Sequence, residues 1–339
     1  MTVRRDSSPM RVTVVGRGSA AARTVRILRE IGISDILNVA SRPLEGCEQN
    51  HVTSVHGVSQ ENSDWVFDCA PASTRLDHAR IFSGNGLPTI FEKPLAVSSD
   101  EGRKVLDLYF QRGVAMKVGY NLRKLRAFDY VRNILRDGTL GAITSADVSV
   151  GQYLPHWRPD RDYRSTVSAQ SAFSGGGVLL ELSHEINYAI GLWGTVRSVT
   201  GQASFSSELE IDAEDQAEGR LSFGSGEGAQ EVSIELDFLR RTPERWCHIV
   251  GRDGVLRWNL LSNEVAVEST RGPTVRHFED SLSDTYVRDI HEMMDKVPTS
   301  HDFAESNADA LHTLEVIDAW RLSAETGRDI DVAGLVTHA

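Results

Sequence analysis

Short apolar runs alternate with amphipathic stretches over the first third of the chain. Residues 12–15, 36–40, 65–69, 89–91 and 115–118 read as strands, brief and largely apolar, with helical patterns over 20–31, 74–84 and 99–112 between them. Strand–helix–strand alternation predicts a parallel sheet covered by helices. The pattern changes after Tyr120. A helix over 124–137 stops at Gly138, a suitable C-terminal cap, and strands dominate from Ile143 onward. Between Glu231 and Phe238, Val232, Ile234, Leu236 and Phe238 alternate with Ser233, Glu235 and Asp237. Period-two alternation predicts one buried and one wet face, as in an antiparallel sheet. Further strands are expected at 246–250, 255–258 and 264–267, and closing helices at 281–295 and 302–324.

A length of 339 residues suits two domains. The boundary falls near 121–125, giving a first domain over 11–122 and a second, α+β, over 123–339. Residues 1–10 are polar, lack the apolar stretch of a signal peptide and read as a flexible arm. No apolar run approaches the roughly 20 residues that span a bilayer. The expected location is the cytoplasm, without a membrane partner. A net charge of −12 repels a phosphate backbone and argues against nucleic acid. Any phosphate site must therefore be local, built from backbone N–H groups and one or two cations. The 3 cysteines, Cys47, Cys69 and Cys247, and the 11 histidines are scattered, so no metal site is expected.

The first strand, Arg11-Val12-Thr13-Val14-Val15, runs into Gly16-Arg17-Gly18-Ser19-Ala20-Ala21. In a strand–loop–helix setting, the first glycine permits the turn, the second lets backbone approach a pyrophosphate, and the small third residue lets helix and strand pack. Gly16, Gly18, Ser19 and Ala20 are the candidate phosphate contacts, offered by a helix N-terminus. A glycine turn of this kind also occurs in α/β proteins that bind nothing. The second strand ends on Ser41 and Arg42, where an NAD-binding chain usually places an acid for the ribose hydroxyls. A hydroxyl and a guanidinium suit a 2′-phosphate. NADP is thus the preferred cofactor and NAD the other option; a solvated surface arginine is the alternative reading of Arg42.

Glu92-Lys93-Pro94 follows the strand at 89–91, at the end where open α/β sheets bind ligands. Here the chain resembles the Gfo/Idh/MocA oxidoreductases, whose signature is a Glu-Lys-Pro in this context. The resemblance spans nearly the whole chain. It takes in the glycine loop, Ala70-Pro71-Ala72-Ser73-Thr74 with His78, and Val118-Gly119-Tyr120-Asn121-Leu122-Arg123. Gly175-Gly176-Gly177 leading into Glu181-Leu182-Ser183-His184-Glu185-Ile186 belongs to it, as do Gly251-Arg252-Asp253-Gly254 and Trp258.

The resemblance implies an α/β fold. An N-terminal Rossmann domain with a doubly wound parallel sheet would precede a C-terminal α+β domain with a large, mostly antiparallel open sheet. It implies an NAD(P)-dependent dehydrogenase or reductase of a sugar, nucleotide-sugar or cyclitol. The other reading is a regulator that binds dinucleotide and sugar without turnover. Ala70, Pro71, His78, Glu92, Lys93 and Asn121 join the cofactor contacts, and Lys93 and His184 would act at the nicotinamide. Glu181, three before His184 and expected on the same helix face, replaces an Asp that members commonly place four before the His. Its role stays open: it could orient His184, bind substrate or be structural. Tyr153, His156, Trp157, Arg158 and Tyr163, with His184, are the candidate substrate contacts. Homodimers or homotetramers through the broad sheet are expected. Only a short stretch separates Arg42 from Trp65, so the usual crossover helix there should be shortened.

Overall fold

The computed structural model describes residues 10–224, 229–294, 301 and 303–335. The expected arm therefore lies outside it except for Met10, and so do Asp295 and Asp302 at expected helix ends. Contacts divide the chain into two compact units.

The first half runs β1 (Arg11–Val15), α1 (Ser19–Glu30), β2 (Asp35–Val39), β3 (His51–Val52), β4 (Trp65–Asp68), α2 (Arg75–Gly84), β5 (Thr89–Glu92), α3 (Ser99–Arg112) and β6 (Met116–Gly119). The second continues with α4 (Arg126–Arg136), β7 (Ile143–Gly151), α5 (Val178–Glu181), α6 (His184–Trp193), β8 (Val196–Ser204), β9 (Gln216–Phe223) and β10 (Gln230–Asp237). Then come β11 (Glu244–Gly251), β12 (Gly254–Asn259), β13 (Glu264–Ser269), β14 (Thr274–His277), α7 (Leu282–Met294), α8 (Ala304–Thr326) and β15 (Ile330–Asp331).

The first unit holds the described residues of Met1–Ala96, Asp100–Asn121 and Leu282–Leu311. Its 6-stranded sheet is parallel throughout, in the order β3-β2-β1-β4-β5-β6. This is the doubly wound Rossmann order. β1 and β4 are buried nearly end to end, as strands covered on both faces must be. α1 turns Ala21, Val25, Ile27 and Leu28 onto the sheet and ends before Gly32, whose φ is +90°. No α-helix lies between β2 and β4, only β3 and a 3₁₀ turn at Val55–Gly57, in line with the short stretch seen in sequence.

One stretch differs from the expected boundary: Leu282–Leu311 belongs to the first unit, although it follows the second-unit strands in sequence. Tyr286, Val287, Ile290 and Phe303 share the apolar core with Ile27, Leu28 and Phe67. Lys117, buried on β6, pairs with Asp289 at 2.8 Å and Glu292 at 2.6 Å on α7.

The second unit holds Val97–Ser99, Leu122–Ser281 and the described residues of His312–Ala339, apart from 225–228. Its 9 strands are ordered β14-β13-β12-β11-β7-β10-β9-β8-β15. All pairings are antiparallel except β7 with β10, which is parallel. Buried Val232, Ile234 and Leu236 confirm the alternation read for β10. Asp237 departs from it. Expected on the wet face, it is buried, accepting from Leu239 N at 2.6 Å as the chain turns out of the strand. Trp320 of α8 packs on β8 and β9 and donates to Gln202 O at 3.1 Å. No helix among the described residues is long and apolar enough to cross a membrane.

Candidate functional site

In the first unit the glycine loop is shaped by close backbone approach. Gly16 has φ +108°, and a Cβ there would stand 3.0 Å from Cys69 O, so only glycine fits without strain. Its N–H donates to Val39 O at 2.8 Å. Gly18 is different. It is extended, caps α1 without a side chain, and a Cβ there would meet nothing within 4 Å. The space beside it is open, α1 carries no acidic residue in its first turn, and Ala21 is fully buried against the sheet. These features fit a pyrophosphate lying against the loop, held by N–H groups of Gly18, Ser19 and Ala20.

The other polar groups at the strand ends hold one another. Asn38, buried in β2, donates to Val14 O and Gly16 O, both at 3.0 Å, and accepts from Leu44 N. It ties the glycine loop to the turn after β2, where Ser41 and Arg42 are exposed. Asp68, buried at the end of β4, pairs with Arg75 at 3.2 Å and His78 Nδ1 at 2.8 Å, and accepts from Ala70 N at 3.0 Å. Burial alone would raise its carboxyl, but Arg75 and His78 hold it below the ordinary aspartate range. Arg75 also donates to Asp68 O and Glu92 O, both at 2.8 Å, joining β4 to β5. Glu92 accepts from Arg23 of α1 at 2.9 Å, and Arg23 reaches the Tyr286 hydroxyl at 2.6 Å. Asn121 is buried and donates to Thr285 at 2.9 Å. Half-buried Lys93 follows Glu92, and its peptide to Pro94 is cis. Pro71 is exposed at the opening of the turn into α2.

In the second unit several candidates lie along the strand-end edge of the large sheet, where the central strands β7 and β10 finish. Past β7 the chain runs on beside β10, with Gln152 N on Asp237 O and Leu154 N on Phe238 O, both at 2.9 Å. Trp157 is anchored edge-on against Phe238, centroids 5.3 Å apart. Tyr153 and His156 meet edge to face at 4.8 Å. Arg241, which sequence reading did not single out, lies over the Tyr153 ring at 3.7 Å. Arg158 is half-buried with no ion pair among the described residues. Tyr163 is used structurally, its hydroxyl accepting from Glu210 N at 3.1 Å.

Glu181 and His184 do not share one helix, contrary to expectation. α5 ends on Glu181, Leu182 leaves helical geometry with φ −100° and ψ 21°, and α6 starts at His184. Glu181 accepts from buried Ser168 at 2.7 Å. His184 is half-buried; its neighbour Glu185 is fully buried and bidentate to Arg245 at 2.7 and 2.9 Å. Burial would lower the Arg245 guanidinium, but Glu185 outweighs it and holds it above the ordinary value. Arg245 faces Val150 in register on β7, so this pair fixes the start of α6 at the edge that carries residues 152–157. No cluster of three or more metal-ligating side chains occurs among the described residues.

A doubly wound sheet with an open glycine loop, joined in one chain to a broad mixed sheet, defines a two-unit dinucleotide-binding architecture. Residues 132–332 match the Gfo/Idh/MocA family described as "Oxidoreductase family, C-terminal alpha/beta domain", and the chain belongs to that family. It is 23% identical over 321 residues to the inositol 2-dehydrogenase of Rhizobium meliloti (strain 1021), covering 90% of this chain and 92% of that one. It is 24% identical to D-xylose 1-dehydrogenase (NADP(+)) 2 of Haloferax volcanii, over 81% of this chain and 82% of that one. An oxidoreductase from Agrobacterium radiobacter, solved with NAD+, L-tartaric acid and magnesium, superposes with a TM-score of 0.82 at 16% identity, covering 97% of this chain and 100% of that one.

Proposed function

We propose that this protein is an NAD(P)-dependent dehydrogenase or reductase acting on a secondary alcohol or ketone of a sugar, nucleotide-sugar or cyclitol. The observation that carries the reading is the glycine loop, open at Gly18, in a chain of this oxidoreductase family. Gly16, Gly18, Ser19 and Ala20 hold the pyrophosphate, with Ala70, Pro71 and Glu92 completing the cofactor wall. Ser41 and Arg42 favour NADP. Asn38, Asp68, Arg75 and Asn121 keep that wall in place. His78, bonded to Asp68 through Nδ1, offers the wall its other ring nitrogen.

The bound nicotinamide supplies a hydride acceptor or donor. Alcohol oxidation also requires removal of the hydroxyl proton. His184 takes that proton, an imidazole being able to exchange one near neutrality. Lys93 donates a hydrogen bond to a substrate oxygen and steadies developing charge there. Glu181, held by Ser168, supports the start of α6 or contacts substrate. Tyr153, His156 and Arg158 bind substrate oxygens, while Trp157 anchors their loop and Tyr163 braces it.

The test is reduced-nicotinamide absorbance with a panel of polyols, sugars and nucleotide-sugars. Tight dinucleotide binding with no turnover of any of them would remove the enzyme reading. We place the reaction in the cytoplasm. We also assign a homodimer or homotetramer built through the second unit, which a monomer mass by light scattering at micromolar concentration would refute.

A further inference from the structure

Two adjacent arginines at the sheet edge of the second unit are used in opposite ways. Arg240 touches Glu235, Asp237 and Glu244 and contacts Ser149, so its charge is matched several times over. Arg245, a few residues on, is matched by Glu185. Arg241 has no ion pair among the described residues. It is exposed and lies over the Tyr153 ring at 3.7 Å, in a chain with 48 acidic against 36 basic residues. Stacking holds a guanidinium by its face and leaves its in-plane N–H donors free at the edge. His156 packs on the same ring, its centroid 4.8 Å away, and is also exposed.

From this we infer that Arg241 and His156, both packed on Tyr153, bind an anionic group on the substrate, a carboxylate or a phosphate. The preferred substrates are then sugar or polyol acids, or sugar phosphates, rather than neutral polyols. Several observations converge. The stack orders Arg241 before any ligand arrives, which reduces the entropy lost on binding. A planar fork with its edge open matches two oxyanion oxygens bidentately. Backbone bonds from Leu154 to Phe238 hold the two chain segments side by side. The Glu185–Arg245 pair brings the start of α6, and with it His184, to the same edge. A substrate anchored here by its anion would present a hydroxyl elsewhere on its skeleton for reaction.

This inference rests on the oxidoreductase reading for its substrate, but its test does not require turnover. Binding to the full chain, saturated with dinucleotide, would be measured by calorimetry for matched pairs: D-glucose with D-glucuronate, D-galactose with D-galacturonate, and D-glucose with D-glucose 6-phosphate. In at least one pair the anionic member should bind about tenfold or more tighter, with affinity falling as salt rises. Preference confined to the acids assigns a carboxylate site, and preference confined to the phosphate a phosphate site. Arg241→Ala should lower that affinity about tenfold to a hundredfold and leave the neutral member within about twofold, with Arg241→Lys between them. Equal binding within every pair, or an Arg241→Ala loss shared by neutral and anionic members, overturns the subsite. Arg241-dependent anion binding with no turnover of any alcohol leaves the subsite standing and removes the oxidoreductase reading.

Discussion

The strand ends of the first unit and the sheet edge of the second are both polar, yet their side chains are employed differently. In the first unit Asn38, Asp68, Arg75, Glu92 and Asn121 are committed to protein partners, and the groups left for a ligand are mostly backbone N–H. In the second unit the backbone bonds and Trp157 build a platform, and half-buried Tyr153 stands on it with the exposed side chains of His156 and Arg241. A site made of backbone recognises what every dinucleotide shares. A site made of exposed side chains can change its ligand by single substitutions without disturbing a core. On the proposed assignment, a change of substrate would need changes only in the second of these sites.

The largest test of this division is at the reacting groups. Lys93→Ala removes the charge beside the developing alkoxide and should cost about 10² or more in kcat. Lys93→Arg should not restore it, since a guanidinium is larger and keeps its proton. His184→Asn should cost roughly 10²–10⁴ and flatten the pH profile near neutrality. Dinucleotide Kd should change little in each, because neither residue lies on the phosphate loop. Glu181→Gln separates its two roles: a large kcat loss makes it the orienter of His184, a small one a brace for Ser168. Near wild-type kcat in both Lys93→Ala and His184→Asn would remove this assignment.

Next in size is the buried scaffold. Arg75→Ala leaves the Asp68 charge buried with only His78 and the Ala70 N–H and should destabilise the chain by about 3–5 kcal/mol, read from urea unfolding. The pH dependence has a definite sign. Because the folded carboxyl of Asp68 is depressed, its contribution is present above the unfolded value of about 3.9 and is lost as pH falls through the folded one. Asp68→Asn should therefore flatten the acid limb of the stability profile. An unchanged limb would mean that this group does not link β4 and α2 as described.

The two glycines of the loop sharpen the comparison within a single turn. Gly16→Ala forces a side chain into φ +108° and toward Cys69 O, and should destabilise the fold by about 1–3 kcal/mol. Gly18→Ala should leave stability within about 0.5 kcal/mol, since its backbone is extended and its Cβ meets nothing. Its dinucleotide Kd should nevertheless rise by about tenfold, the methyl occupying space the pyrophosphate needs. Equal dinucleotide affinity in Gly18→Ala would show that the open space is not where the phosphates lie.

How much of this was legible in sequence follows from the range of the forces involved. The glycine loop, Lys93 after its strand and the alternation in β10 are local patterns, and local patterns survive as text. The partner of Glu92 is long-range, so nothing near it announces Arg23, and Asp68 meets Arg75 and His78 only because the chain turns back into α2. The apolar face of α7 could be read as amphipathic, but such a face does not say which core it joins, and Leu282–Leu311 joined the first. β8 and β9 were passed over because Gly201, Gly219 and polar residues break their alternation, the glycines making room for Trp320. The interruption at Leu182 and Ser183 carries no glycine or proline to mark it. Asn38, a lone amide in an apolar strand, was the one site residue whose signal was present and unread.

At the turn after β2 the first unit would rely on exposed side chains. Arg42 stands after β2 with no ion pair among the described residues, beside Ser41 and tied to the glycine loop through the Gly16–Val39 bond and through Asn38, which bonds Gly16 and Leu44. Where NAD is preferred, an acid here binds the ribose hydroxyls and repels a 2′-phosphate; this chain has neither that acid nor that repulsion. NADPH should therefore bind tighter than NADH in a fluorescence titration. Arg42→Ala should cost on the order of 1–3 kcal/mol for NADPH and almost nothing for NADH, because only the former carries the extra charge. The difference should shrink with added salt, as the contact is exposed and screened. Equal affinities, or a preference for NADH, would make Arg42 a solvated residue and return the first unit to a site built from backbone alone.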